Sequence, residues 1–541
     1  MDYSKYYKKD KIKPKEKVKF EREKIDYNID AGESKSIDKT IYIFLITALI
    51  LIPLFIKAHI SEFVSPHLTF MSSGIQADIF SYYKYIFLIL ITIVIVILFI
   101  YKVLFLQYNI PKSMTYLFLG VLAVVVTLSA IFSPYKSIAL HGMYNRHEGT
   151  ITFLCYLTIF FVAANMKYTI TQLHGFLYSL YPFIIINMVL GLAIFSEKDL
   201  LDIGWLHSFI LGSIPEGAQV SEGAKLWATL SNPNFISGIG AVLTILFLVW
   251  AMFDKNKIRS IINTVIALLS YIIVLTAFSS SGFLTIVVLL PIVVVLLFLN
   301  QGKKHSAITL IAFVILATAA FVPLANKNPR VWDETFGFFL NTNPFEGKQV
   351  SYGPMAIPNS ATLNIFKPLV ATAAENDDIK FSIPTLPKSG IGAGTGRVYE
   401  WEKAIEVSMK RPIIGYGLDT FVYIFPQNDI EKKANLRNYT TIVDKPHNMY
   451  LGILVGSGAI ALIAFLLMIG SILIKGLKVL IKRMELSEDK VILYALYTAT
   501  VAYLVQAIFN DSVAGSGVIF WMISGILLSI INHNIRDEVA K

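Results

Sequence analysis

Cysteine is almost absent from this 541-residue chain: Cys155 stands alone, within an apolar stretch. No disulfide can form within the chain, and a cysteine-based metal site has no basis. Charge is also scarce, at 16% of residues, against about 25% in an ordinary soluble domain. The N-terminus lacks the pattern of a secretory signal. Its first 39 residues are polar, and no small-residue cleavage site follows the first apolar run. The alternation of a β-barrel strand is missing, as is any repeat at a fixed period.

What is present is apolar surface. Hydrophobic residues make up 55% of the chain, and mean hydropathy is +0.62. They gather in runs near 20 residues, long enough to cross a hydrocarbon core about 30 Å thick. Inside lipid each backbone polar group needs an internal partner, so such runs are expected as helices. The fold class is therefore an all-α polytopic bundle of about twelve transmembrane helices. The spans are expected near 40–57, 85–106, 115–132, 150–165, 175–194, 233–253, 259–278, 282–299, 308–324, 449–474, 491–509 and 517–531.

The net charge of +10 comes largely from basic residues beside these spans, which speaks for membrane lipid rather than nucleic acid. Lys112, Lys167, Lys255, Lys257, Lys303, Lys304, Lys475, Lys478, Lys482 and Arg483 fall in or beside alternate short connections. That asymmetry places both termini in the cytoplasm. The expected organisation is a charged disordered tail at 1–39 and nine spans in 40–324. A large extracytoplasmic loop follows at 325–448, then three spans in 449–531 and a short cytoplasmic tail at 532–541. Leu201–Leu211, with Trp205 and Phe209, reads as an interfacial or re-entrant helix. In the large loop, 340–395 is rich in Pro, Gly, Asn and Thr and looks irregular. The apolar spacing over 398–410 gives an amphipathic helix stopped by Pro412.

Four clusters on the expected outer face could carry chemistry. They are Gly142–Gly149 with Arg146 and Glu148, Leu230–Asn234 with Asn232 and Asn234, Gly394–Arg397, and Lys445–Asn448 with His447. An arginine offers a planar fork of donors that suits a diphosphate. Arg397 opens a helix, where unpaired amides favour an anion. A neutral imidazole can take a proton from a sugar hydroxyl. Each cluster also has a plainer explanation. Arg146 could pair with Glu148 and anchor a loop. Asn232-Pro-Asn234 makes a turn and a helix cap. Arg397 could be a surface charge, and His447 a polar cap at a helix start. The outer loops hold no tight Asp/Glu/His cluster that would call for a metal, and no cofactor is implied.

The stretch from Gly394 to about Leu467 resembles the membrane domain of the O-antigen ligase and polymerase family. The resemblance is carried by Gly396-Arg397 with Trp401 and Ala404, by Pro412–Gly417 with Phe421, by His447–Leu451, and by Gly456-Ser-Gly458. Arg146-His-Glu148-Gly149 is similar to an Arg-x-x-Gly element of many members, and Ser231–Asn234 to their Asn-Pro-Asn element. The resemblance implies a glycosyltransferase that uses a polyprenyl-diphosphate-linked glycan, not a nucleotide sugar. It would act on the outer face of the cytoplasmic membrane of a bacterium, with a glycan, lipid or protein as acceptor. It implies His447 as general base and Arg397 as diphosphate ligand, with Arg146 as a second diphosphate or glycan contact. One departure stands out. Many members carry Ser-Arg-Gly at a short outer turn, where this chain has Ser280-Ser281-Gly282, so Ser281 replaces an arginine. The extra segment 335–390 enlarges the loop.

Two other classes compete. A transporter or lipid flippase would carry charged or broken helices at the membrane midplane and often an inverted repeat. These spans hold almost no ionisable residue. A non-catalytic envelope-assembly protein would tolerate loss of His447.

Overall fold

The computed structural model describes residues 27–66, 73–212, 214–215, 217–220, 228–299, 303–340, 342–345, 396–436, 441–481 and 487–539. Residues 1–26 of the expected tail and most of the 335–390 insert lie outside them. The described chain opens with helix α1 (Tyr27–Leu54), followed by α2 (Tyr82–Leu104), α3 (Met114–Ile131), α4 (Lys136–His141) and α5 (Thr150–Ala164). Next come α6 (Ile170–Tyr178), α7 (Tyr181–Phe195), α8 (Gly204–Ile210), α9 (Pro233–Phe253), α10 (Lys257–Thr276), α11 (Ser280–Leu299) and α12 (Lys303–Lys327). Then α13 (Arg330–Asp333), α14 (Arg397–Ser408), α15 (Phe421–Ile424) and α16 (Ile430–Asn435) lead to α17 (Met449–Ile481), α18 (Glu488–Gln506) and α19 (Ala514–Val539).

Ten helical segments among the described residues are long and apolar enough to cross a membrane, the α6–α7 pair counting as one. The two other expected spans are the short apolar α5 and α18. Helix α18 explains its own weak hydropathy. It is buried along most of its length, so it meets protein instead of lipid. Its Thr498 and Thr500 hydroxyls donate to the carbonyls of Tyr494 and Leu496, one turn back. Helices α9 and α19 have fully buried apolar windows and form the centre of the bundle. A small residue lets α11 approach α9 closely: Gly282 at the start of α11 lies against the Ser237 backbone of α9.

Two differences from the sequence expectation concern local structure. Helix α1 begins at Tyr27, inside the segment expected to be a disordered tail. It is pinned there by Asp38, which pairs with Lys102 at 2.5 Å, and by Glu33, which accepts from the Tyr101 hydroxyl at 2.7 Å. An otherwise helical fold also contains a three-stranded sheet. Strand β1 (His59–Phe63) runs antiparallel to β2 (Gly74–Asp78), and β2 pairs in parallel with the two-residue β3 (Gln219–Val220). The strands are too short to show a period in sequence. The Asp78 carboxylate ends the sheet by accepting from the Phe80, Ser81 and Tyr82 amides, which starts α2. The expected interfacial helix is α8, with Trp205 71% and Phe209 54% exposed.

Helix α17 is broken at Gly458, whose φ of 81° and ψ of 177° are closed to other residues without strain. The Pro412–Gly417 segment docks into the break. The Ala459 amide donates to Pro412 O at 2.7 Å, while the Tyr416 and Gly417 amides donate to Val455 O and Gly456 O. A side chain at Gly458 would run into Ile413 O at 2.2 Å. The two glycine-bearing motifs are therefore halves of one contact, and that contact sets where the following loop stands.

Candidate active site

The site gathers at one end of the bundle, where the 142–149 loop, the 417–420 turn, the 444–448 segment, the N-terminus of α14 and the 510–512 loop meet. Its anchor is Arg146, whose side chain is only 5% exposed. Nε donates to Asp419 Oδ1 at 2.8 Å, and Nη1 pairs with Asp444. Asp419 also accepts from the Met143 amide at 2.6 Å, through Oδ2. Three segments distant in sequence are thus held by one guanidinium. Burial alone would lower the pKa of Arg146, but the charges of Asp419 and Asp444 outweigh it and push the pKa up. Burial likewise raises Asp444, and Arg146, Lys445 and His447 together hold it down at about 2. The loop reaches this arrangement because Gly142, at φ 84°, lies against the backbone of His147 and Glu148, where no Cβ fits.

Arg146 therefore spends its fork on carboxylates of its own chain, and its partner is not Glu148. Removing one member of a buried ion pair typically costs about 3–5 kcal/mol, because the remaining charges stay buried and unpaired. Arg146→Ala is expected to lower the melting temperature and the yield of folded protein sharply, measured by thermal shift in detergent. A variant as stable as wild type would show that the clamp does not hold the site together.

Glu148 accepts from the Tyr156 hydroxyl at 2.7 Å. Burial pushes its pKa up to about 8, so it is largely protonated at neutral pH. Asn232 caps α9, its Oδ1 accepting from the Asn234 amide at 2.8 Å. Asn234 Oδ1 accepts from the Ser279 hydroxyl at 2.6 Å. Ser281 is buried, with its hydroxyl 3.0 Å from that of Ser279 and taking a long 3.4 Å contact from Asn510 Nδ2. These residues form a polar network that reaches Asn510, the sequence neighbour of Asp511.

His447 and Arg397 both lie near Asp511. His447 Nδ1 lies 3.2 Å from Asp511 Oδ2, with the imidazole 28% exposed. Its backbone has φ 49°, a region that non-glycine residues occupy rarely and that concentrates at functional sites. Neighbouring contacts fix it there. Trp401 Nε1 donates to Pro446 O at 2.9 Å, and Asn448 caps α17 by accepting from the Leu451 amide. The Met449 amide donates to Ala507 O and Asn510 O, which joins the start of α17 to the end of α18. Burial pushes the Asp511 carboxyl up, but the contact with His447 and the charge of Lys445 bring it below its ordinary value.

Arg397 is the first residue of α14, after Gly396, which brings no capping side chain. It is partly buried, and among the described residues no hydrogen bond or ion pair occupies its guanidinium. It lies in the field of Glu400, Asp511 and Glu334. Helix α14 is seated by Tyr399 and Ala404, which join a small core with Phe421, Phe425, Val443 and Val455. Beside Arg146 and Asp511 opens a cleft whose lining residues do not include Arg397, Glu400 or His447. Arg146, Glu148, Asp419, Asp444, Lys445 and Asp511 form its polar wall, and Phe153, Phe421, Met449 and Ile453 line its apolar part.

Sequence reasoning missed Asp419, Asp444, Asp511 and Glu400. Asp511 had a readable signal, as an isolated carboxylate between two apolar helices. Asp419 and Glu400 had none, since only the fold turns them inward. Among the described residues, no group of three or more His, Cys, Asp or Glu side chains could hold a metal ion.

A many-helix membrane bundle with a polar site collected at one end defines a polytopic membrane protein. Residues 264–466, somewhat more than a third of the chain, match the family model described as O-antigen ligase. No curated protein matches the chain. The matched span holds Ser281, Arg397, Glu400 and His447, while Arg146, Glu148, Asn232, Asn234 and Asp511 lie outside it.

Proposed function

We propose that the chain is a glycosyltransferase of the bacterial cytoplasmic membrane. It moves a glycan from a polyprenyl-diphosphate carrier to an acceptor hydroxyl on the outer face, in the assembly of cell-surface polysaccharide or glycoconjugate. The observation that carries this reading is the pairing of an unoccupied Arg397 with a His447–Asp511 couple at one end of the bundle. Arg397 takes the diphosphate, with the open N-terminus of α14 adding partial positive charge. His447 accepts the proton of the attacking hydroxyl through Nε2, with Nδ1 3.2 Å from Asp511 Oδ2, which favours the imidazolium that forms. Lys445 sits with its ammonium 4.7 Å over the Phe235 ring and adds positive charge beside the site. The glycosyl bond to the diphosphate breaks as the acceptor oxygen bonds to the anomeric carbon, and the carrier diphosphate leaves.

The test is transfer by purified protein from a polyprenyl-diphosphate glycan without any nucleotide sugar. Turnover that requires a nucleotide sugar would overturn the reading. The orientation has its own check. In a Cys155→Ala background, Glu406→Cys is expected to react with a membrane-impermeant thiol reagent in intact spheroplasts and Ser487→Cys is not. The reverse pattern would invert the topology and put the site on the wrong side for a lipid-linked donor.

A further inference from the structure

Glu400 is an oddity within the site. Its side chain is 7% exposed, and its Oε2 has no hydrogen-bond partner. A buried carboxylate oxygen without a partner is costly and calls for an explanation. Glu400 and Arg397 are three residues apart on one face of α14, the spacing at which Arg and Glu ordinarily pair. Here they do not form an ion pair, although each lies within the other's electrostatic reach. Glu400 feels His447, Arg397, Asp511 and Asp444 together, which places it among the groups assigned to base and diphosphate. The register of α14 gives it little freedom to move away, since Trp401 beside it is tied to Pro446 O and Tyr399 is fully buried.

We propose that Glu400 Oε2 accepts a hydrogen bond from a sugar hydroxyl of the acceptor glycan and so orients the attacking hydroxyl between His447 and the carrier diphosphate. This assignment rests on the glycosyl-transfer reading above. A hydroxyl donor completes the unmet acceptor. A diphosphate does not, because it brings only negative charge toward a carboxylate. Glu400 is thereby a substrate-positioning group: it binds the acceptor and takes no proton.

The experiment uses full-length protein. Lipid-linked glycan extracted from cells deleted for this chain serves as donor, and the envelope glycolipid fraction of the same cells as acceptor. Glu400→Gln is expected to raise the KM for acceptor roughly tenfold and to lower kcat as well, with the affinity for a bare polyprenyl diphosphate unchanged. Glu400→Asp withdraws the oxygen by one methylene and is expected to raise acceptor KM by a smaller factor. It carries the test if the glutamine variant does not fold. Transfer with an unchanged acceptor KM in both variants overturns the assignment alone. Loss of polyprenyl-diphosphate binding in either overturns it too, since Glu400 would then act by holding Arg397. No transfer by the wild-type protein overturns the glycosyl-transfer reading, and this assignment falls with it.

Discussion

His447→Ala is expected to reduce the rate of glycan transfer by about 10²–10⁴-fold while leaving donor binding close to wild type. The leaving group of a polyprenyl-diphosphate glycan is already a good one, so the remaining demand is removal of a proton from the incoming hydroxyl. Nδ1 of His447 lies against Asp511 at 3.2 Å, and the ring is 28% exposed, so Nε2 is the nitrogen left for substrate. Asp511→Asn keeps the shape of the partner but can turn an amide N–H toward Nδ1, which favours the wrong tautomer. The rate in that variant is expected to fall as well, with the KM for donor retained. The assay is single-turnover transfer with purified protein, with polyprenyl-diphosphate binding measured separately. Wild-type turnover by His447→Ala would place the base elsewhere. Loss of donor binding together with rate would make His447 a diphosphate ligand instead.

Much of the fold was legible because bilayer physics is so restrictive. Runs near 20 apolar residues have one economical structure in lipid, and every expected span coincides with a helix. Helix α18 shows the limit: a helix enclosed by others can carry Thr, Tyr and Gln, so hydropathy alone understates it. The small sheet was invisible because its longest strands are five residues and its third is two. At the site, the positions of Arg397 and His447 followed from the order of motifs. The use of Arg146 did not, because its partners Asp419 and Asp444 lie 273 and 298 residues away. A local reading could offer only Glu148, two residues on. Ser281 had the same difficulty. Its partners Asn510 and Ser279 make it part of a buried polar joint next to Asp511 in sequence, which no local pattern announces. The consequence is that Arg397 is the one arginine of the described site whose fork is open.

That isolation sharpens the last expectation, which concerns Arg397. Arg397→Ala should abolish measurable transfer and weaken binding of a bare polyprenyl diphosphate, since Arg146 is committed to two aspartates and cannot take over. Arg397→Lys keeps the charge at the same helix end but loses the planar, two-pronged donor geometry. Its transfer should fall between wild type and alanine. Charge alone would restore most of the binding if the site needed only a cation, so the lysine variant separates electrostatics from geometry. Salt gives a second reading. Binding through one partly exposed guanidinium should weaken with ionic strength in wild type, because screening acts over about 10 Å at 0.1 M, and should lose most of that dependence in Arg397→Ala. Stability is expected to change little in either variant, because no ion pair among the described residues is broken. An Arg397→Ala protein that folds, binds polyprenyl diphosphate with wild-type affinity and still transfers glycan would show that the diphosphate is held elsewhere, with Lys445, whose ammonium lies over Phe235, as the next group to remove.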